Sequence, residues 1–433
     1  MKNKKSIHPI WPIWQTMKRS RLIWLALVLF LSAAAIFSVA ADTSPSKLWQ
    51  KLAATFARVS PSQTAQTTAS QYTFQLPPND VQRILAGAPI ESPGTRASSS
   101  PTVLRLPHPD GKMRQFRLLE SPLLTPEMAA QYPDIKSYTA QGVDDPAATA
   151  RFSWTSRGLH GIIVGNDYSV FIHPVDHRTT TNYVSYFAPQ DERFECGVKD
   201  STPGLRGRTA TPGMNSMNGG TLRTYRLALT APAEYTLDPT LGGGTVASTV
   251  ASFNVWLNQV NAVYEREMSI RFTLVNNTSI IYTNATTDPF TNPTDTVTSL
   301  TEVRDLLRTQ VGIANYDLGH VLLVGDTGGV AFLGVTCDGS GSANKGGGVS
   351  GVPAPLGYAF GASRIMHEMG HQFGATHTFN DIAACASNRA ANTAYEPGNG
   401  MTIMAYPVQC ITPIVPNREL RFHDGSLTQM VNF

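Results

Sequence analysis

His367-Glu368-Met369-Gly370-His371-Gln372-Phe373-Gly374-Ala375-Thr376-His377 is the stretch that decides how the second half of this 433-residue chain folds. A helix over 360–373 sets His367 and His371 on one face, one turn apart. That separation suits two nitrogens at about 2.0–2.1 Å from one zinc ion. Glu368, next to the first histidine, can reach a water at the same ion. Gly374 ends the helix, because glycine accepts the left-handed cap that other residues resist. The chain can then turn sharply and return His377 as a third ligand. Three neutral imidazoles leave one position open for water, the mark of a catalytic rather than a closed structural site. A core helix with scattered histidines is the competing explanation. It would need three of the five histidines in this half of the chain to fall at these spacings by accident.

Upstream of the motif, helices and strands alternate. Residues 224–229 alternate like a strand. Residues 245–268 carry Val250, Phe253, Leu257, Val260, Val263 and Tyr264 at helical spacing. Strands are expected at 270–275, 279–282 and 318–324, and a helix at 300–311. This order predicts an α/β (α+β) layer. The glycine-flanked apolar run 328–336 reads as an edge strand, or else as a core strand. Residues 340–352 read as a Gly/Ser-rich loop.

The first half is different. Between 71 and 198 lie short β runs: a hairpin of 103–106 and 114–119 around the turn His108-Pro109-Asp110-Gly111, then 150–154, 159–164 and 169–173. This is a β-rich domain without evident chemistry. Its His108, His160, His173 and His177 lack ligand-like spacing and are expected in surface or turn roles. Residues 199–220 could form no core and read as a linker, where Arg206 and Arg208 offer processing sites. Residues 42–70 are rich in Ser, Thr, Ala and Gln and read as a flexible lead-in. Before them, a basic Met17-Lys18-Arg19-Ser20-Arg21, an apolar 22–35 and a small-x-small site at Val39-Ala40-Ala41 read as an export signal over 1–41. A retained membrane anchor is the alternative. Either way the rest of the chain leaves the cytoplasm, and a cleaved signal leaves no stable membrane partner. Charged residues are only 15% of the chain and the formal net charge is +3, which gives no footprint for nucleic acid. The four cysteines, Cys196, Cys337, Cys385 and Cys410, can form disulfides in an exported chain.

The motif resembles that of the metzincin clan of zinc peptidases, His-Glu-x-x-His-x-x-Gly-x-x-His followed by a Met-turn. Thr402-Ile403-Met404-Ala405-Tyr406 resembles that turn, with Met404 lying 27 residues after His377. Residues 222–433 are most similar to the reprolysin (adamalysin) branch in its secreted bacterial form. The likeness rests on the opening strand 222–229, Asn261-Ala262-Val263-Tyr264-Glu265, the Gly-Val-Ala-Phe-Leu-Gly-Val-Thr-Cys run at 329–337, and His377-Thr378-Phe379-Asn380. Two departures stand out. Familiar members carry Asp where this chain has Thr378, and lack the Tyr found here at position 406. The resemblance implies a catalytic domain over 221–433 with a twisted mixed sheet and a zinc-binding helix, preceded by a β-rich prodomain over 71–198.

It further implies one catalytic zinc on His367, His371 and His377, Glu368 as general base, and Met404 as a floor beneath the histidines. Calcium is not indicated. The implied reaction is hydrolysis of internal bonds in protein or peptide substrates. The substrate would lie extended along Gly329, Val330, Ala331, Phe332, Leu333 and Gly334. Tyr406 would contact the metal or the oxyanion, or else serve only as a core Tyr. Cys196-Gly197-Val198 resembles the thiol switch of reprolysin propeptides, so the chain's own propeptide would act as inhibitor until a cut near Arg206 or Arg208 releases it. A Cys196–Cys337 disulfide is the alternative. Cys385 and Cys410 flank the Met-turn segment and are expected to pair. The competing functions are a catalytically weak, zinc-stabilised adhesion or binding module and a zinc hydrolase of a non-peptide substrate. Intact Glu368 argues against the first and an edge strand beside the histidines against the second.

Overall fold

A computed structural model describes residues 48–52, 72–188, 196–198, 221–325, 328–340, 344–353, 355–406 and 419–433. The expected export signal, most of the lead-in, the linker and Cys410 lie outside the described residues. No helix among the described residues is long and apolar enough to cross a membrane.

Nine strands of the first half form one antiparallel sheet among the described residues. They are β1 (Gln50–Lys51), β2 (Tyr72–Gln75), β3 (Val103–Pro107), β4 (Met113–Glu120), β5 (Lys136–Gly142), β6 (Thr149–Thr155), β7 (Gly158–Val164), β8 (Ser169–Pro174) and β9 (Asn182–Phe187). Their order is β1-β2-β9-β8-β7-β6-β5-β4-β3. The expected hairpin is β3–β4, and β1 puts an edge strand inside the stretch expected to be a flexible lead-in. Two helices, α1 (Pro78–Ala86) and α2 (Pro126–Gln131), interrupt the β runs. Because side chains alternate across a strand, the sheet serves two cores. Leu159, Ile163, Val170, Ile172 and Tyr183 join a core confined to the first half. Ile162, Val164, Phe171, Val184 and Tyr186 point the other way, into a core shared with the second half. His108, His160 and His173 are buried rather than on the surface. Burial pulls His173 down to about 4 and His160 well below its usual value, so both are neutral at pH 7.

The second half contains β10 (Arg223–Thr230), α3 (Ala233–Leu237), α4 (Val246–Met268), β11 (Ile270–Leu274), α5 (Thr296–Leu307), β12 (Leu318–Val324), β13 (Gly329–Ala331), β14 (Gly348–Val352), α6 (Ala359–Gln372) and α7 (Asp424–Asn432). The sheet order is β11-β10-β12-β14-β13. All pairs are parallel except β13 on β14, so the sheet is mixed, with β13 as an antiparallel edge. Two expectations fail here. Residues 279–282 give a short 3₁₀ turn, Thr278–Ile280, instead of a strand. The Gly/Ser-rich stretch 340–352 ends in β14, a buried inner strand. Its glycines make room for neighbours: a side chain at Gly348 would collide with His320 and Gln372.

Helix α4 begins with a reciprocal capping box between Thr245 and Ser248. The polar residues in its middle do not face water. Asn254 and Asn258 bond to Ser137 and Ser153 of the first sheet at 2.7–3.1 Å. Arg151, 2% exposed, donates from Nη1 to both carboxylate oxygens of Glu265 at 2.7 and 2.8 Å. Arg271 bonds Glu91 at 2.7 and 3.1 Å and also Glu265. The first half further occupies both edges of the second sheet. Leu274 N donates to Leu123 O at 3.0 Å beside β11, and Gly197 N donates to Gly329 O at 2.7 Å on β13.

Candidate metal centre

Helix α6 presents His367 and His371 from successive turns, both fully buried. It stops at Phe373 by a Schellman cap. Gly374 takes φ 91°, Gly374 N donates to His371 O at 2.8 Å, and Ala375 N donates to Gly370 O at 3.0 Å. That cap returns the chain and brings in His377. The three Nε2 atoms converge, His371 lying 3.1 Å from His367 and 3.2 Å from His377. His371 Nδ1 bonds Ala375 O and His367 Nδ1 bonds Ile403 O, each at 2.7 Å. A carbonyl only accepts, so both Nδ1 atoms carry the proton and each Nε2 presents a lone pair.

Lone pairs this close repel unless a cation lies between them. Tetrahedral zinc with bonds of about 2.0–2.1 Å would space its nitrogens by about 3.3 Å, so the donor set fits. The fourth donor in the cluster is Cys196, 1% exposed. Its Sγ lies 3.5 Å from His371 Nε2, against about 3.6 Å expected for a sulfur and a nitrogen on one zinc. The position expected to hold water thus faces a thiol. Burial and then the Glu368 charge push that thiol up, so without a cation it stays protonated. Cys196 and Cys337 are both free thiols, which excludes a bridge between them. Cys385 is disulfide-bonded.

Glu368 is fully buried beside the cluster, with Oε2 3.9 Å from Cys196 Sγ and no hydrogen-bond partner on Oε1. Burial pushes its carboxyl well above the usual range. It lies against Gly329, where any side chain would strike the carboxylate. Met404 sits beneath the helix: a Cβ on Gly370 would come within 2.6 Å of its sulfur. The turn does more than floor the site, since the Ile403 carbonyl orients His367. The Tyr406 ring packs on His377 at 4.8 Å and Phe379 at 4.6 Å, and its hydroxyl donates to Cys196 O at 3.3 Å.

The expected edge 329–334 is shorter than the sequence implies. Only Gly329–Ala331 is a strand, and Cys196 pairs beside it in parallel with Gly329. Phe332 N turns to Gly347 O, and Gly334 N donates to His371 O at 2.8 Å. Val335 and Thr336 N donate to Gln372 O. The end of the run therefore satisfies the last carbonyls of α6 instead of lining the cleft beyond Leu333.

Two residues escape the sequence reading. Glu396 accepts from Thr378 Oγ1 at 2.5 Å, Met401 N at 2.7 Å and Thr402 N at 3.0 Å. It ties the segment after His377 to the Met-turn. The available signal was Thr378 itself, a buried hydroxyl directly after the third histidine that needs an acceptor. Asn388 reaches the cleft from an exposed loop and has no signal in the sequence.

Residues 221–433 match the pattern of metallo-peptidase family M12B, reprolysin-like. No curated protein matches the chain. Among solved structures, the crystal structure of metalloproteinase-II from Bacteroides fragilis is similar at 11% identity, over 82% of this chain and 94% of that chain, with a TM-score of 0.42.

Proposed function

We propose that the chain, whose residues 221–433 match the pattern of metallo-peptidase family M12B, reprolysin-like, is the precursor of a secreted zinc endopeptidase held inactive by Cys196. The observation that supports this reading is the four-donor cluster: three histidine nitrogens and the Cys196 thiol converge, and together would complete a zinc site. When bound, zinc polarises the scissile carbonyl and acidifies water. Glu368 takes the proton of the attacking water and returns it to the leaving amine. Tyr406, its phenol kept protonated by burial, donates to the carbonyl oxygen as negative charge develops there. Once 196–198 withdraws, a peptide adds to the vacated edge of β13 by main-chain bonds. Secretion rests on the segment 17–41, and the protein partners are peptide substrates and the chain's own propeptide.

Casein digestion by the processed protein, its linker cut and Cys196 capped by a mercurial, with and without a chelator, tests the reading. Cleavage at internal bonds that stops on chelation and returns with zinc is the expected result. Absence of chelator-sensitive cleavage would sink it.

Tyr406→Phe removes only the hydroxyl. It is expected to lower kcat by about 10-fold and leave KM nearly unchanged, because the donor acts more strongly in the transition state. An unchanged kcat would reduce Tyr406 to packing. Cys385 is expected to pair with Cys410. Peptide mapping of the exported protein should recover that bridge, together with Cys337 as a free thiol. Recovery of Cys410 as a free thiol would refute the pairing.

A further inference from the structure

We propose that Asn388 is a catalytic residue: its side-chain amide and the Tyr406 hydroxyl form a two-donor hook for one peptide carbonyl, occupied by Cys196 in the precursor and by the scissile carbonyl afterwards. This rests on the peptidase reading above. Asn388 Nδ2 donates to Cys196 O at 2.8 Å, and Tyr406 Oη donates to the same oxygen at 3.3 Å. Nδ2 also lies 3.0 Å from Tyr406 Oη. One amide hydrogen can go to the carbonyl and the other to the phenol, which is polarised in turn toward the same carbonyl. The thiol of the residue that owns this carbonyl is 3.5 Å from His371 Nε2, so the hooked oxygen belongs to a chain lying against the ligand set.

The hook is built in advance. Ser387 Oγ donates to Asn388 Oδ1 at 2.9 Å, which makes that atom the acceptor and leaves the NH₂ facing the cleft. Asn388 N donates to Cys385 O at 3.0 Å, closing a 3₁₀ turn on a disulfide-bonded residue. Cys385 N is itself held by Asp381 Oδ1 at 3.2 Å. Ala386 and Ser387 are exposed while Asn388 is half-buried. An Asn with no task here could turn to water as its neighbours do. Instead it is fixed inward on a carbonyl.

Removing one oxyanion donor from a closed site costs about 10²–10³ in kcat, and a half-buried donor should cost about 10- to 100-fold. The test uses the full chain after processing, with zinc content matched among variants. Asn388→Asp keeps the shape and removes the donor; Asn388→Ala removes the group and guards against a charge effect. Both should lower kcat by about 10- to 100-fold with KM within about 2-fold. Calorimetric affinity for a phosphinic peptide, a tetrahedral mimic, should fall by the same factor. Combined with Tyr406→Phe, the loss should be smaller than the product of the single losses, because both donors serve one oxygen. Unchanged kcat and phosphinate affinity, with only a leakier precursor, would overturn the proposal and leave Asn388 as a clasp for Cys196. A raised KM with unchanged kcat would overturn it as well. Wild type that cleaves no peptide would instead fail at the peptidase reading and take this inference down with it.

Discussion

Glu368→Gln is expected to bind zinc as the wild-type chain does and to lose at least about 10²-fold in kcat. The three imidazoles and Cys196 converge on one point without help from Glu368, so its removal takes no ligand away. What it removes is the carboxylate between that point and Gly329, on the edge where peptide would lie. The fold should not suffer. Oε1 is buried without a hydrogen-bond partner, and an unsatisfied buried polar group costs about 1–3 kcal/mol. The amide keeps the volume and is itself uncharged, so Tm should hold. Metal content, Tm and kcat measured on the same processed preparation check all three. Turnover near wild type by the zinc-loaded variant would end the general-base assignment. Loss of zinc would end the ligand assignment instead.

The histidines were legible because helix geometry alone relates positions four apart, and because Gly374 announces a stop that a Schellman cap then fulfils. Strands β10 and β12 and helix α4 were legible for the same reason: their periodicity is local. Strand β14 was not. Glycine in Gly348-Val349-Ser350-Gly351-Val352 reads as loop, yet here it admits His320 and Gln372 from elements distant in sequence. Asn254, Asn258 and Glu265 gave α4 a polar face that looks like a solvent face. They bury against Ser137, Ser153 and Arg151, over a hundred residues away, and no local pattern can announce such a partner. The run 332–336 misled in the opposite sense. Its apolar residues suit a strand, but the last-turn carbonyls of α6 need donors, and that need bends the chain away from the edge. Cys196 was legible only by likeness to a known triplet; its 3.5 Å approach to His371 is a tertiary fact.

Cys196→Ser precursor is expected to hydrolyse peptide without any cut in the linker, at least about tenfold faster than unprocessed wild type, because a hydroxyl is a far weaker zinc ligand than a thiolate. Cys196, Gly197 and Val198 are the described first-domain residues that bond to the cleft, through Gly329, Tyr406 and Asn388. The rest of the first domain packs on α4 and on the start of α6, where Ala359 N donates to Tyr186 Oη at 3.3 Å. With zinc bound, the thiol would be the main hold on a short segment that otherwise keeps only a few main-chain bonds. Linker cleavage alone should behave in the opposite way. Cys196 lies on the first-domain side of Arg206 and Arg208, and that domain shares a hydrophobic core and a buried ion-pair network with the second half. A core of that kind does not separate because a distant peptide bond is cut. The nicked wild type should elute as one complex and remain largely inactive until a mercurial removes the thiol. A silent Cys196→Ser precursor, with full activity appearing on linker cleavage alone, would show that bulk blockage by the first domain is the inhibitor and that the thiol plays no part.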